Sequence, residues 1–152
     1  MLLKKCLSGS ALVLALLAMV SAAPHAPGEP FKAMGAATSI TVTGGPPPAP
    51  LSFEILAQGN ATHLGKYTSD AQFVVTFVSA TQAVFDGGGT LTAANGDQVD
   101  FVMSGDFFPG PVPGGVGHFT ITGGSGRFAN ASGGGEFVSM GGETIFDGTI
   151  NR

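Results

Sequence analysis

Arg127 stands in the run Gly123-Gly124-Ser125-Gly126-Arg127-Phe128 and is the only basic residue between Lys66 and Arg152. A glycine turn can aim successive backbone N–H groups at one point, so a guanidinium beside it suits an anion-binding nest. It suits equally an arginine that pairs with a neighbouring carboxylate or caps the carbonyls of the turn. His63 and His118 would form a pair of metal ligands, or an acid and its base, if the fold brought their strands together. Each is also placed close to a glycine near an expected strand end, where a plain surface histidine is the simpler reading. Asp97, Asp100 and Asp106 have the composition of a hard-cation site. Asp97 belongs to a turn, however, and Asp100 and Asp106 stand about 20 Å apart along one strand, so solvated acids are expected. Arg127, His118 and His63 are therefore the candidate ligand-contacting residues, with no metal or cofactor expected.

Other patterns fail on context. Ser104 and Ser125 lack the strand, sharp turn and helix that expose an α/β-hydrolase nucleophile. The stretch Gly124-Ser125-Gly126-Arg127-Phe128-Ala129 loosely matches a dinucleotide fingerprint, but no helix follows to present its N-terminus to a pyrophosphate. Gly123-Gly124-Ser125-Gly126 also opens like a calcium-binding nonapeptide, yet the aspartate position is Phe128 and the unit is not repeated. No catalytic residue is assigned.

The elements that would position these side chains are all extended. No window of eleven residues repeats apolar side chains with helical period without a glycine or proline cutting it. Short runs rich in Val, Ile, Thr and Phe recur between turn residues, which is the pattern of an antiparallel sandwich or barrel. Strands are predicted over 31–43, 51–59, 64–78, 82–86, 89–95, 98–107, 116–122, 127–131, 135–140 and 144–151, some of them merging or bending. Asn95-Gly96 marks a hairpin with a type I′ turn. Asp86-Gly87-Gly88-Gly89 and Gly123 to Gly126 read as further turns, Gly44 to Pro50 as a polyproline II connection, and Pro109 to Gly115 as a loop. Phe73 to Val78 is apolar on both faces, so its outward side is expected to be covered by another segment or a second subunit.

Four segments carry a resemblance: Asn60 to Thr68, Ala94-Asn95-Gly96-Asp97, Phe119 to Gly133 with its Gly-Gly-Ser-Gly-Arg-Phe stretch, and Phe146-Asp147-Gly148-Thr149-Ile150. Over roughly residues 59–151 the chain resembles exported bacterial proteins of the allene oxide cyclase barrel-like group, related to plant dirigent proteins. The resemblance implies an all-β fold, a single antiparallel eight-stranded β-barrel of calycin type, often trimeric in the plant relatives. In those enzymes chemistry comes from side chains lining the barrel interior, and none of them is carried onto positions of this chain.

At the N-terminus two lysines, an apolar run from Leu7 to Val20 and the small residues Val20-Ser21-Ala22 form a secretory signal peptide, 1–22, cleaved after Ala22. The apolar run is shorter than the roughly twenty residues that span a bilayer. A proline-rich lead-in, 23–30, precedes the barrel domain, 31–152. Cleavage removes the single cysteine, Cys6, and leaves four basic residues against ten acidic ones, a net charge of −6. That balance argues against nucleic acid or an anionic membrane surface as a partner. All twelve phenylalanines lie beyond the cleavage point, enough to fill a core without disulfide or metal. The expectation is a secreted or periplasmic barrel that binds a small apolar ligand without catalysis or plays a structural envelope role, self-associating as a trimer. The alternative is an isomerase or cyclase acting inside the barrel.

Overall fold

The computed structural model describes residues 28–152. The signal peptide and most of the lead-in lie outside the described residues. Eight strands follow in order: β1 Glu29–Gly44, β2 Leu51–Ala61, β3 Gly65–Phe77, β4 Ala83–Ala93, β5 Gln98–Phe108, β6 Gly114–Ser125, β7 Ser132–Met140 and β8 Glu143–Asn151. Each pairs antiparallel with the next, and β8 pairs with β1 to close the barrel. Closure leaves no unpaired strand edge in a chain this rich in β structure. The only helical element among the described residues is a single 3₁₀ turn, Gly126–Phe128.

Inside and outside alternate along the strands. On β3, Tyr67, Ala71 and Val75 are buried while Lys66, Thr68 and Asp70 are exposed or at the surface between them. A bulge in β1 resets this alternation. The register against β2 shifts between Ala37 and Ser39, and the intervening Thr38 donates from its hydroxyl to the carbonyl of Leu56 at 3.1 Å. Ala33, Gly35 and Ala37 face inward before the bulge and Ile40 and Val42 after it, as an extra residue in one strand requires. Along the sequence predicted to be covered, Phe73, Val75 and Phe77 point into the barrel. Val74 and Val78 remain 40% and 66% exposed.

Several sequence expectations change here. The barrel begins at Glu29, so the last two lead-in residues pair with Ile150 and Thr149. The segments 82–86 and 89–95 are one strand, β4, with Gly87, Gly88 and Gly89 in its middle rather than in a turn. The segment 127–131 is no strand: it forms the 3₁₀ turn and a further turn in which Ala131 N–H donates to Phe128 O. Gly123, Gly124 and Ser125 end β6, and Gly126 opens the 3₁₀ turn. The polyproline stretch folds back as a turn around a cis Pro47–Pro48 peptide, closed by Ala49 N–H to Pro46 O at 3.1 Å. The Asn95-Gly96 hairpin lies where predicted, but its turn is not type I′. Gly96 N–H donates to Ala93 O, Gly96 takes φ 89°, and Asn95 is not in the positive-φ region. This matches a type I turn followed by a left-handed glycine, which needs positive φ at one position instead of two.

Candidate functional site

An eight-stranded barrel is just wide enough for its side chains to fill it or to hold one small ligand, so the sizes of the inward residues decide which. They are unequal around this barrel. Near their middles β1 to β3 contribute a patch of small residues, Gly35, Ala37, Ala57, Ser69 and Ala71, flanked on the same strands by larger ones such as Phe53, Ile55, Tyr67 and Phe73. Strands β4 to β8 instead contribute Phe85, Phe101, Met103, Phe137 and Phe146. The rings pack on one another: Phe146 lies 5.8, 5.3 and 6.3 Å from Phe101, Phe119 and Phe137, centroid to centroid, the first two edge-on. Edge-to-face contacts of this kind hold aromatic clusters in one arrangement. Where these rings face the patch of small residues, a cavity of about 300 Å³ remains.

One end of the cavity is sealed. Phe128, carried by the 3₁₀ turn, is completely buried, as are Phe31, Val99 and Ile150, and none of these lines the cavity. The other end bears the loops 45–50, 78–82 and 109–113 and the β7–β8 turn. There Ile40, Val42, Phe53 and Phe107 line the lumen while keeping part of their surface exposed, and Pro113 and Gly142 form part of the rim.

Two of the three residues singled out from sequence meet, on the outside of the sealed end. Arg127 Nε donates to Asp97 Oδ2 at 2.6 Å, a terminal nitrogen of its guanidinium donates to the carbonyl of His63 at 3.2 Å, and the guanidinium carbon lies 5.3 Å from the centre of the Phe128 ring. The hydrogen bond from Arg127, joined by one from Asn95, holds the Asp97 carboxyl below its usual range. His63 has a left-handed backbone, φ 68°, and its Nε2 lies 3.1 Å from Pro30 O and 3.6 Å from the Glu29 carboxylate. These contacts tie the loops 62–64, 94–97 and 126–131 together beneath the barrel. The Arg127 side chain is half exposed, and exposed ion pairs contribute little to stability, so the cluster acts mainly by fixing loop geometry. His118 is elsewhere. It is exposed on the outer face of β6, opposite Ser104 and Glu136. None of the three lines the lumen.

The polar groups that do face the lumen were not singled out from sequence. They are Tyr67, Ser69, Ser139 and Thr144. Tyr67 pairs with Gly59, Gly59 with Gly35, Gly35 with Thr144 and Thr144 with Ser139, so the register sets three of the four hydroxyl residues on one row across the wall. The tyrosine ring lies along that row over the two glycines. A methyl group at Gly59 would stand 2.7 Å from the Tyr67 hydroxyl, and one at Gly35 would overlap it. Burial pushes the phenol up to about 12, so it stays neutral and protonated. The signal for it was in the sequence: Tyr67 is the only tyrosine and shares the inward parity of Ala71, Phe73 and Val75.

No family model matches the chain, and no curated protein is significantly similar to it.

Proposed function

We propose that this chain is exported and holds one small apolar ligand in the barrel lumen, without catalysis. The observation that carries the reading is the cavity itself: about 300 Å³, open at one end and lined almost wholly by aliphatic and aromatic side chains. It holds the volume of roughly ten water molecules, and apolar walls offer water few partners. An apolar occupant gains about 25 cal/mol for each Å² it removes from water. Among the described residues the only ionisable side chain lining the lumen is the Tyr67 phenol, which suits a site that holds a neutral ligand.

The test of binding is titration of the mature protein with N-phenyl-1-naphthylamine, an uncharged dye that fluoresces in apolar surroundings. Saturable binding of one dye per barrel, displaced by small hydrocarbons, is the expected result. Fluorescence that rises without saturating, or is not displaced, overturns the reading. Export is checked separately by N-terminal sequencing of protein collected outside the cytoplasm, expected to begin at Ala23; a chain still starting at Met1 overturns that half.

A further inference from the structure

The Tyr67 hydroxyl is the least explained polar group in the lumen. The residue is only 5% exposed, yet no described residue hydrogen-bonds to its hydroxyl. Buried polar side chains almost always find a partner, because leaving one unsatisfied in apolar surroundings is costly. No side-chain oxygen or nitrogen in the described chain is both fully enclosed and unpartnered, so this hydroxyl retains accessible surface, and Tyr67 lines the cavity. Its neighbours along the row are similarly poised. Thr144 donates to Ser139 Oγ at 3.0 Å, which leaves the Ser139 proton free to be given, and off the row the Ser69 hydroxyl has no partner among the described residues.

The position of Tyr67 matters. Gly35 and Tyr67 are among the lowest residues to line the cavity. Ala33 and Ala61, one inward step further toward the sealed end on β1 and β2, are buried and do not line it. From Tyr67 toward the mouth the β1–β3 lining is mainly apolar, through Ala37, Ala57 and Ala71 to Val42 and Phe53, while Ser139 and Thr144 lie beside the β7–β8 turn at the rim.

Resting on the lumen reading above, we infer that the occupant is an uncharged amphiphile: a hydrocarbon ending in one alcohol, aldehyde or ketone oxygen. That oxygen accepts from the Tyr67 hydroxyl, and the hydrocarbon runs toward the mouth. A carboxylate in the same place would be a buried charge without a counter-ion, because Lys32, Lys66 and Arg127 do not line the cavity. An ammonium group would lack a carboxylate for the same reason. The phenol stays neutral across the physiological range and so offers a hydrogen bond without charge.

The experiment is displacement of N-phenyl-1-naphthylamine by 1-octanol, 2-octanone, octanoate and n-octane at pH 8, on the wild-type protein and on Tyr67→Phe, which keeps the ring and removes only the hydroxyl. 1-Octanol and 2-octanone are expected to outcompete octanoate, and Tyr67→Phe to weaken both by about tenfold, the loss of one hydrogen bond, while binding of octane stays within about twofold. Octanoate competing as well as octanol, or Tyr67→Phe weakening octane as much as octanol, overturns the inference while the lumen remains a binding site. A wild-type protein that takes up neither dye nor any of the four competitors overturns the lumen reading itself, and this inference with it.

Discussion

Replacing Ala57 with tryptophan is expected to weaken dye binding by a hundredfold or more, about 2.7 kcal/mol, while leaving the barrel folded. Ala57 faces the lumen between Ala37 and Ser69, its partners on β1 and β3, in a patch of small residues on that wall. An indole projecting from that wall crosses toward Phe101 and Phe137 and occupies the space a ligand would need. The cavity is at the small end of the range for ligand sites, about 300–1,000 Å³, so little room would remain. Forcing extra volume into a filled core typically costs about 1–3 kcal/mol. Here the side chain enters open space and covers apolar surface, so the urea midpoint should hold or rise. Loss of binding without loss of stability is the combined outcome to look for. Undiminished binding in Ala57→Trp would place the dye somewhere other than the lumen.

The opposite substitution should damage the fold. Phe146→Ala is expected to cost about 3–5 kcal/mol, measured by urea unfolding, against a total of about 5–15 kcal/mol for an ordinary domain. Phe146 touches three other rings and is nearly fully buried, so truncation removes its own burial and also the edge contacts with Phe101 and Phe119. Cavities left by truncation cost less where the surroundings relax inward. At this position relaxation is blocked, because the residue also borders the lumen and its neighbours are held by strand pairing to β1 and β7. Phe146→Leu, which retains most of the volume, should lose less than about 1.5 kcal/mol. A loss under about 1 kcal/mol for the alanine variant would show that the aromatic wall is not a cooperative core.

The fold was legible where local chemistry and global structure agree. Alternation of Val, Ile, Thr and Phe between turn residues predicts an all-β chain, and Asn95-Gly96 predicts a hairpin, though with a type I′ turn where one left-handed residue suffices. Glycine was the main source of error. A run such as Asp86-Gly87-Gly88-Gly89 reads as a turn by composition, yet in β4 it serves close packing: a methyl at Gly87 would stand 2.7 Å from the Phe73 ring, and one at Gly89 would stand 2.7 Å from the Ala71 side chain. Such needs come from strands distant in sequence and leave no local mark. Phe128 misled in the other direction. It falls in the predicted strand 127–131, although it is the plug of the sealed end, mounted on a 3₁₀ turn.

The candidate site was less legible than the fold. Charge drew attention to Arg127, His63 and His118, and the barrel places all three away from its lumen. What faces the lumen is set by parity along each strand and by the bulge at Thr38, which exchanges inside for outside in β1. A bulge has no reliable signature in one sequence, so Ile40 and Val42 could not be assigned to the lining. Tyr67 could have been found from its parity alone. The glycines beneath its ring, at positions 35 and 59, could be matched to it only through the register.

The chain enters and leaves the barrel on the same side. Glu29 and Arg152 are joined by an ion pair, and both belong to the sealed end, opposite the rim formed by Pro113 and Gly142. Whatever holds this protein by either end of the barrel, whether a surface, a fusion partner or a resin, therefore holds it by its base. The orifice is left facing outward, and immobilisation need not obstruct the path by which a ligand enters or leaves.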